Sequence, residues 1–220
     1  MARGSRTIDW FRRTDWTPEL EADFDKRLAR AREWNRPQYL RIQALHLVQA
    51  GGELRLRKAL ELIDRFMSGP TDDQLAPAYD VRAKAHAKLG EDDAAFEAYR
   101  RSCDARRQKR TIGTDAYLEF GFLAIDRRRA DLYDEAVRLL DEFGGGGSAP
   151  FPMQQYKHHA IRAIVSDARG DRATARVHAN LALEAAAKTN SGLPYHADVG
   201  LVGHPDTSVH VTLVRLARGT

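Results

Sequence analysis

The residues able to do chemistry are few and scattered along the chain. Eight histidines are present, of which His158 and His159 are adjacent and His46, His86 and His178 fall within apolar-periodic segments. A histidine can move protons or bind a metal, but it needs a partner at a defined spacing, and no HExxH pair or similar offset occurs. On a helix whose neighbours are apolar, such a residue ordinarily serves as a partly buried polar filler. Tyr195, His196, His204 and His210 cluster near the C-terminal end without an established metal-ligand spacing. An enzyme reading would centre on His196, and it needs loss of a measured activity in His196→Ala to stand. The single cysteine, Cys103, has no partner for a disulfide or a metal knuckle and reads as a small apolar filler. Gly144 to Gly147 followed by Ser148 is the one glycine run. A phosphate loop needs a strand before it and a helix with a lysine after it, whereas here a helical pattern precedes and Ala-Pro-Phe-Pro follows, so the run is a linker. No nucleophile elbow or paired CxxC occurs. The sequence therefore predicts no catalysis, no cofactor and no metal.

Basic residues form the other chemical feature. Arg100, Arg101, Arg106, Arg107, Lys109 and Arg110 crowd one segment, and Arg127, Arg128 and Arg129 another. They define a candidate surface for RNA or another anionic ligand. The net charge of +4 and pI near 9.3 argue less strongly than usual, because 31 acidic residues are interspersed with 35 basic ones, 28 of them arginine. Cations near helix C-termini also complement the macrodipole, which accounts for these runs without a ligand.

The elements that carry these residues follow from a repeat. A small residue stands seven positions before a turn residue four times: Ala44 with Gly51, Ala83 with Gly90, Ala124 with Asp131 and Ala163 with Gly170. A second alanine follows each turn, at Ala59, Ala95, Ala136 and Ala175. Four and seven residues beyond it come Ile63 and Phe66, Tyr99 and Ser102, Leu140 and Phe143, and Ala179 and Ala182, offsets that share one helical face. Two small residues on facing helices let the backbones approach, and larger ones a turn or two on fill the groove. Gly90 and Gly170 suit a helix end with positive φ, and Asp131 suits it less. Connectors are expected at Ser68 to Gln74, Asp104 to Thr114 and Gly144 to Met153.

Before the repeats, Thr17-Pro18-Glu19 reads as an N-cap with proline at the first helical position. Leu20, Phe24, Leu28 and Ala31 form its apolar stripe, and Trp10, Phe11 and Trp16 an arm packed on the body. After them, Gly192, Pro194, Gly200, Gly203 and Pro205 break helical periodicity, and Val209 to Leu216 closes the end. The expected organisation is an arm and capping helix over 1–36, four hairpins over 37–188, and a loop with a closing element over 189–220. The charged start and the lack of about 18 consecutive apolar residues predict a cytoplasmic protein with no membrane contact.

Tyr79 to Cys103, with Ala83, Gly90, Ala95 and Tyr99, and the copy around Ala163, Gly170, Ala175 and Ala182 resemble the tetratricopeptide repeat family. The spacing of 39 to 41 residues exceeds that family's 34, and its terminal proline is absent. The resemblance implies an all-α solenoid of four antiparallel hairpins that binds a protein or peptide on its first helices. By the family's offsets the groove residues are Arg41, Asp80, Lys84 and Ile125, with Lys88, Arg128 and Lys157 nearby. Their positive lean suits an acidic peptide. Leu45 and Val81 stand where a chaperone-tail clamp would want polar side chains, so such a tail is not expected. Self-association through apolar ends and binding of RNA are the alternatives.

Overall fold

A computed structural model describes residues 9–69, 74–109, 113–145, 151–203 and 208–219. Among these, ten α-helices and two short 3-10 turns are present and no strand. The helices are α1 (Pro18–Arg30), α2 (Arg36–Ala50), α3 (Glu53–Met67), α4 (Leu75–Leu89), α5 (Asp92–Gln108), α6 (Ala116–Asp126), α7 (Tyr133–Phe143), α8 (Pro152–Ala168), α9 (Arg172–Ala186) and α10 (Ser208–Arg218). They divide into two compact units, Met1–Ala116 and Tyr117–Thr220.

In the first unit, α1 begins as its sequence demands. The Thr17 hydroxyl accepts from the Leu20 amide, and Pro18 occupies the first turn, where its missing N–H costs nothing. Phe24 and Leu28 turn inward, and Trp10 and Trp16 pack edge-on or tilted against Phe24 at 5.3 and 5.4 Å between ring centroids. Lys58 reaches Glu21 and Arg65 reaches Asp25, which sets α1 alongside α3 in the same direction. The hairpins α2–α3 and α4–α5 complete the unit around Leu40, Leu47, Leu62, Ile63, Phe66 and Val81.

The second unit contains the hairpins α6–α7 and α8–α9 followed by α10. Tyr156 near the start of α8 meets His210 near the start of α10, and Asp167 near the end of α8 meets Arg215. α10 therefore runs parallel to α8 while packing on α9, as α4 runs beside α2 while packing on α3. Each unit is thus two hairpins plus one helix.

The alanine pairs lie where the helices of each hairpin meet. Ala44, Ala83, Ala124, Ala163, Ala59, Ala95 and Ala136 have no exposed surface, and Ala175 has 1%. Ser102 is buried as well, and its hydroxyl donates to the Ala76 carbonyl at 2.8 Å, so the polar atom is satisfied inside the core.

Three of the turns end alike. At Gly90 (φ 76°) the Glu91 amide returns to the His86 carbonyl, and at Gly170 (φ 79°) the Asp171 amide returns to that of Ser166. The third corrects the expectation at Asp131. There the left-handed residue is Arg128 (φ 55°), with the Arg129 amide on the Ala124 carbonyl. α6 thus stops about one turn early, and the 3-10 turn Ala130–Leu132, which contains Asp131, takes up the difference. Ala136 still falls twelve residues after Ala124, the interval that separates Ala83 from Ala95.

Two other boundaries differ from expectation. α5 continues to Gln108, past the connector expected from Asp104, because Asp104-Ala-Arg-Arg-Gln holds no breaker and Ala105 buries against the core. α8 starts at Pro152, inside the connector expected to run to Met153, because proline is well placed in a first helical turn.

Gly121 marks a close approach of α6 to α8. A Cβ there would stand 2.7 Å from Ile161 Cδ1, and Ile161 is fully buried. Gly121→Val is therefore expected to lower stability by about 1–3 kcal/mol through overpacking. Adding Ile161→Ala should recover part of the loss in urea denaturation, a coupling that unrelated sites would lack.

Candidate functional site

The expected groove residues separate into two groups. On α2 and α4, Arg41 Nε donates to Gln74 Oε1 at 2.9 Å, Lys84 Nζ to Asp80 Oδ2 at 2.7 Å, and Lys88 Nζ to the Val48 carbonyl at 2.7 Å. Burial pulls the Arg41 pKa down, and Asp80 opposes that shift. Arg41 and Lys88 thus join α2 to the start and the end of α4, while Lys84 and Asp80 pair with each other within α4. Lys157 behaves likewise in the second unit. It bridges to both Glu119 oxygens at 2.7 and 2.6 Å and lies over the Phe122 ring, fixing α8 to α6.

Arg128 and Ile125 differ, because they open onto a cleft of about 510 Å³ among the end of α6, the start of α7, α8 and α10. Its apolar side comprises Ile125, Ala130, Ile164, Ala168 and Val209. Its polar rim comprises Arg128, Tyr133, Asp167, Ser208, Thr212 and Arg215. Burial raises the Tyr133 pKa and the Arg128 charge lowers it, so the hydroxyl stays a neutral donor and acceptor. Arg128 is exposed, and among the described residues its side chain has no hydrogen-bond partner. It keeps that position at the expense of a left-handed backbone that glycine would adopt with less strain. A second cavity of about 350 Å³ shares Asp167 and Arg215 with the first and adds Arg172 and Arg176. The cleft has the composition of a binding site: an apolar wall with a few polar groups that orient a ligand.

The basic segment is largely occupied by its own neighbours. Arg101 pairs with Glu97 at 3.0 Å, Arg107 with Asp104 at 2.5 Å, and Arg106 donates to the Thr114 carbonyl at 3.0 Å. Arg100 and Lys109 also have interactions with neighbouring groups, and Arg110 lies outside the described residues. In the C-terminal loop Tyr195 and His196 are exposed, and His204 again lies outside the described residues. Gly146, Gly147 and Ser148 of the glycine run do as well.

One constellation was not expected from offsets alone. His159 and His178 meet across the α8–α9 hairpin with Nδ1 atoms 3.1 Å apart. With centroids at 5.2 Å, the rings lie edge to edge, nitrogen facing nitrogen. One Nδ1 must donate and the other accept, so the pair shares one proton. His158 stands against His159, is 5% exposed, and has its pKa pushed down to about 4, first by burial and then by His159 and Arg162. His159 is also lowered to about 4, by burial and then by His178 and Arg162. Sequence did hold a signal. His159 lies four residues before Ala163 and His178 three after Ala175, nearly symmetric about the turn of an antiparallel hairpin. Among the described residues no three histidine, cysteine or carboxylate side chains are arranged to hold a metal ion.

Comparison with known protein families, curated proteins and solved structures finds no match for the chain.

Proposed function

We propose that this chain is a non-catalytic interaction module, tetratricopeptide-like in its hairpins, that binds a peptide segment of a partner protein in the cleft between α6, α8 and α10. The observation that carries the reading is the Arg128 rim. An arginine whose side chain has no hydrogen-bond partner among the described residues is held in a strained backbone at the mouth of an apolar cleft, where a glycine would serve the turn better. The buried alanine pairs and the placing of α10 beside α8 support the likeness to a repeat whose first helices line the binding face. Among the described residues no helix is long and apolar enough to cross a membrane.

Peptide-display selection from a random library against the intact protein tests it. Enriched peptides should carry an apolar residue for the cleft. Their affinity should fall by about tenfold or more in Thr212→Trp, which fills the space. Arg128→Gly should weaken binding while leaving stability unchanged or raising it by up to about 1 kcal/mol, since the left-handed position is then relieved. A selection without enrichment, or peptides that bind Thr212→Trp as tightly as the natural chain, would overturn the reading.

A further inference from the structure

The second cavity, on the other side of Asp167 and Arg215, has an unbalanced charge. Arg172 and Arg176 on α9 and Arg215 on α10 surround a single carboxylate, Asp167, which lies 3.3 Å from Arg215. Arg172 and Arg176 are exposed, and neither side chain has a hydrogen-bond, ion-pair or ring partner among the described residues. Elsewhere arginines on these surfaces find acids: Arg162 pairs with Asp141, Arg169 with Asp134 and Arg138 with Glu135 and Glu142. Asp167 and Arg215 belong to the walls of both cavities, so a ligand in the apolar cleft has its end beside the two free guanidinium groups.

We infer that this pocket reads two adjacent carboxylates in the bound segment, so that the partner is a peptide with an apolar residue next to an acidic pair; the inference rests on the peptide-binding reading of the neighbouring cleft. The charge count argues for two. One guanidinium fork satisfies a single carboxylate, and here two forks lack an acceptor while the third is shared with Asp167. The position of Asp167 argues for a peptide over a nucleic-acid strand. A phosphodiester chain running from one cavity to the other would pass that carboxylate at every approach, whereas a peptide places its charge on one side and its apolar group on the other.

The test uses the intact protein, labelled with nitrogen-15, and reads the side-chain Nε–H resonances of Arg172 and Arg176. The probes are acetylated, amidated decapeptides with a leucine beside either Glu-Glu or Gln-Gln, a Gln-Gln peptide with a free C-terminal carboxylate, and inorganic phosphate. The Glu-Glu peptide should give saturable shifts, and the Gln-Gln peptide should bind about tenfold more weakly or not at all. Arg172→Gln/Arg176→Gln should weaken the Glu-Glu peptide by a similar factor at an unchanged melting temperature, and Arg101→Gln should leave it as it is. Equal response to phosphate or to the free terminus would overturn the acidic-pair assignment in favour of a general anion site. Loss of binding in Thr212→Trp with none in the double arginine variant would overturn the pocket and leave the cleft reading standing. Loss in the arginine variant with none in Thr212→Trp would keep the pocket and overturn the cleft. Absence of any saturable shift would overturn the inference.

Discussion

Ala83→Trp is expected to destabilise the first unit by more than about 3 kcal/mol, beyond the 1–3 kcal/mol that ordinary overpacking costs. Ala83 has no exposed surface, and Ala95, on the other helix of the α4–α5 hairpin, has none either. The indole would need a volume that two helices in backbone contact do not leave. Its only escape is to splay α4 from α5, which would uncover Phe96 and Tyr99, at 1% and 3% exposure now. Ala175→Trp should do the same to α8–α9, where Ala163 and Ala179 are fully buried. Ala94→Trp provides the control, because Ala94 adjoins Ala95 on the same helix but is exposed, so the tryptophan there meets solvent. For a unit of about 100 residues each kcal/mol lowers the midpoint by roughly 4–8 °C, so thermal melts separate the cases readily. Natural-like melting of Ala83→Trp, or an equal loss in Ala94→Trp, would remove the alanine contacts as the basis of the hairpins.

The same contacts explain what could be read from sequence. Small residues at helix crossings must recur at fixed distances from a turn, so Ala83, Gly90 and Ala95 carry their geometry in their spacing. The N-cap at Thr17 is legible because its hydrogen bond joins residues three apart. A polar turn residue at the repeat position points to Asp131 for the third turn, whereas α6 closes at Arg128, whose type gives no warning of a positive φ. The binding surface is less legible in the sequence than the turns. Family offsets identify which side of a helix faces a groove, but not whether a charge there is already satisfied by its neighbours. Arg41, Lys84, Lys88 and Lys157 are satisfied, and Arg128 among those candidates stands open to solvent. Arg172, Arg176 and Arg215 come together only through the packing of α10 on α8 and α9, across more than forty residues of chain between Arg172 and Arg215.

Acidification should destabilise the second unit well before its carboxylates titrate. His158 has a folded-state pKa near 4 against about 6.5 in an unfolded chain, so the fold favours its neutral form. Between those values the unfolded chain binds the extra proton and the folded one does not. The stabilisation is therefore complete above about pH 6.5 and is lost progressively as pH falls towards 4. His159, lowered to the same value, and His178, lowered in the same direction, add to the slope by less. They retain more solvent, and their pair can accept one proton on an outward nitrogen while keeping the Nδ1 to Nδ1 hydrogen bond; a second proton leaves two donors face to face. The charged groups around them act in opposite senses: Arg162 disfavours protonation, and Asp141 on α7 favours it at His158. In the first unit His46, lowered by burial and by Arg12, contributes with the same sign. Urea denaturation from pH 7.5 to 4.5 should show the loss, and carbon-bound proton shifts of His158 should titrate near pH 4. His158→Asn should flatten the pH dependence whatever it does to stability at neutral pH. A slope that persists undiminished in that variant would assign the acid sensitivity to other groups.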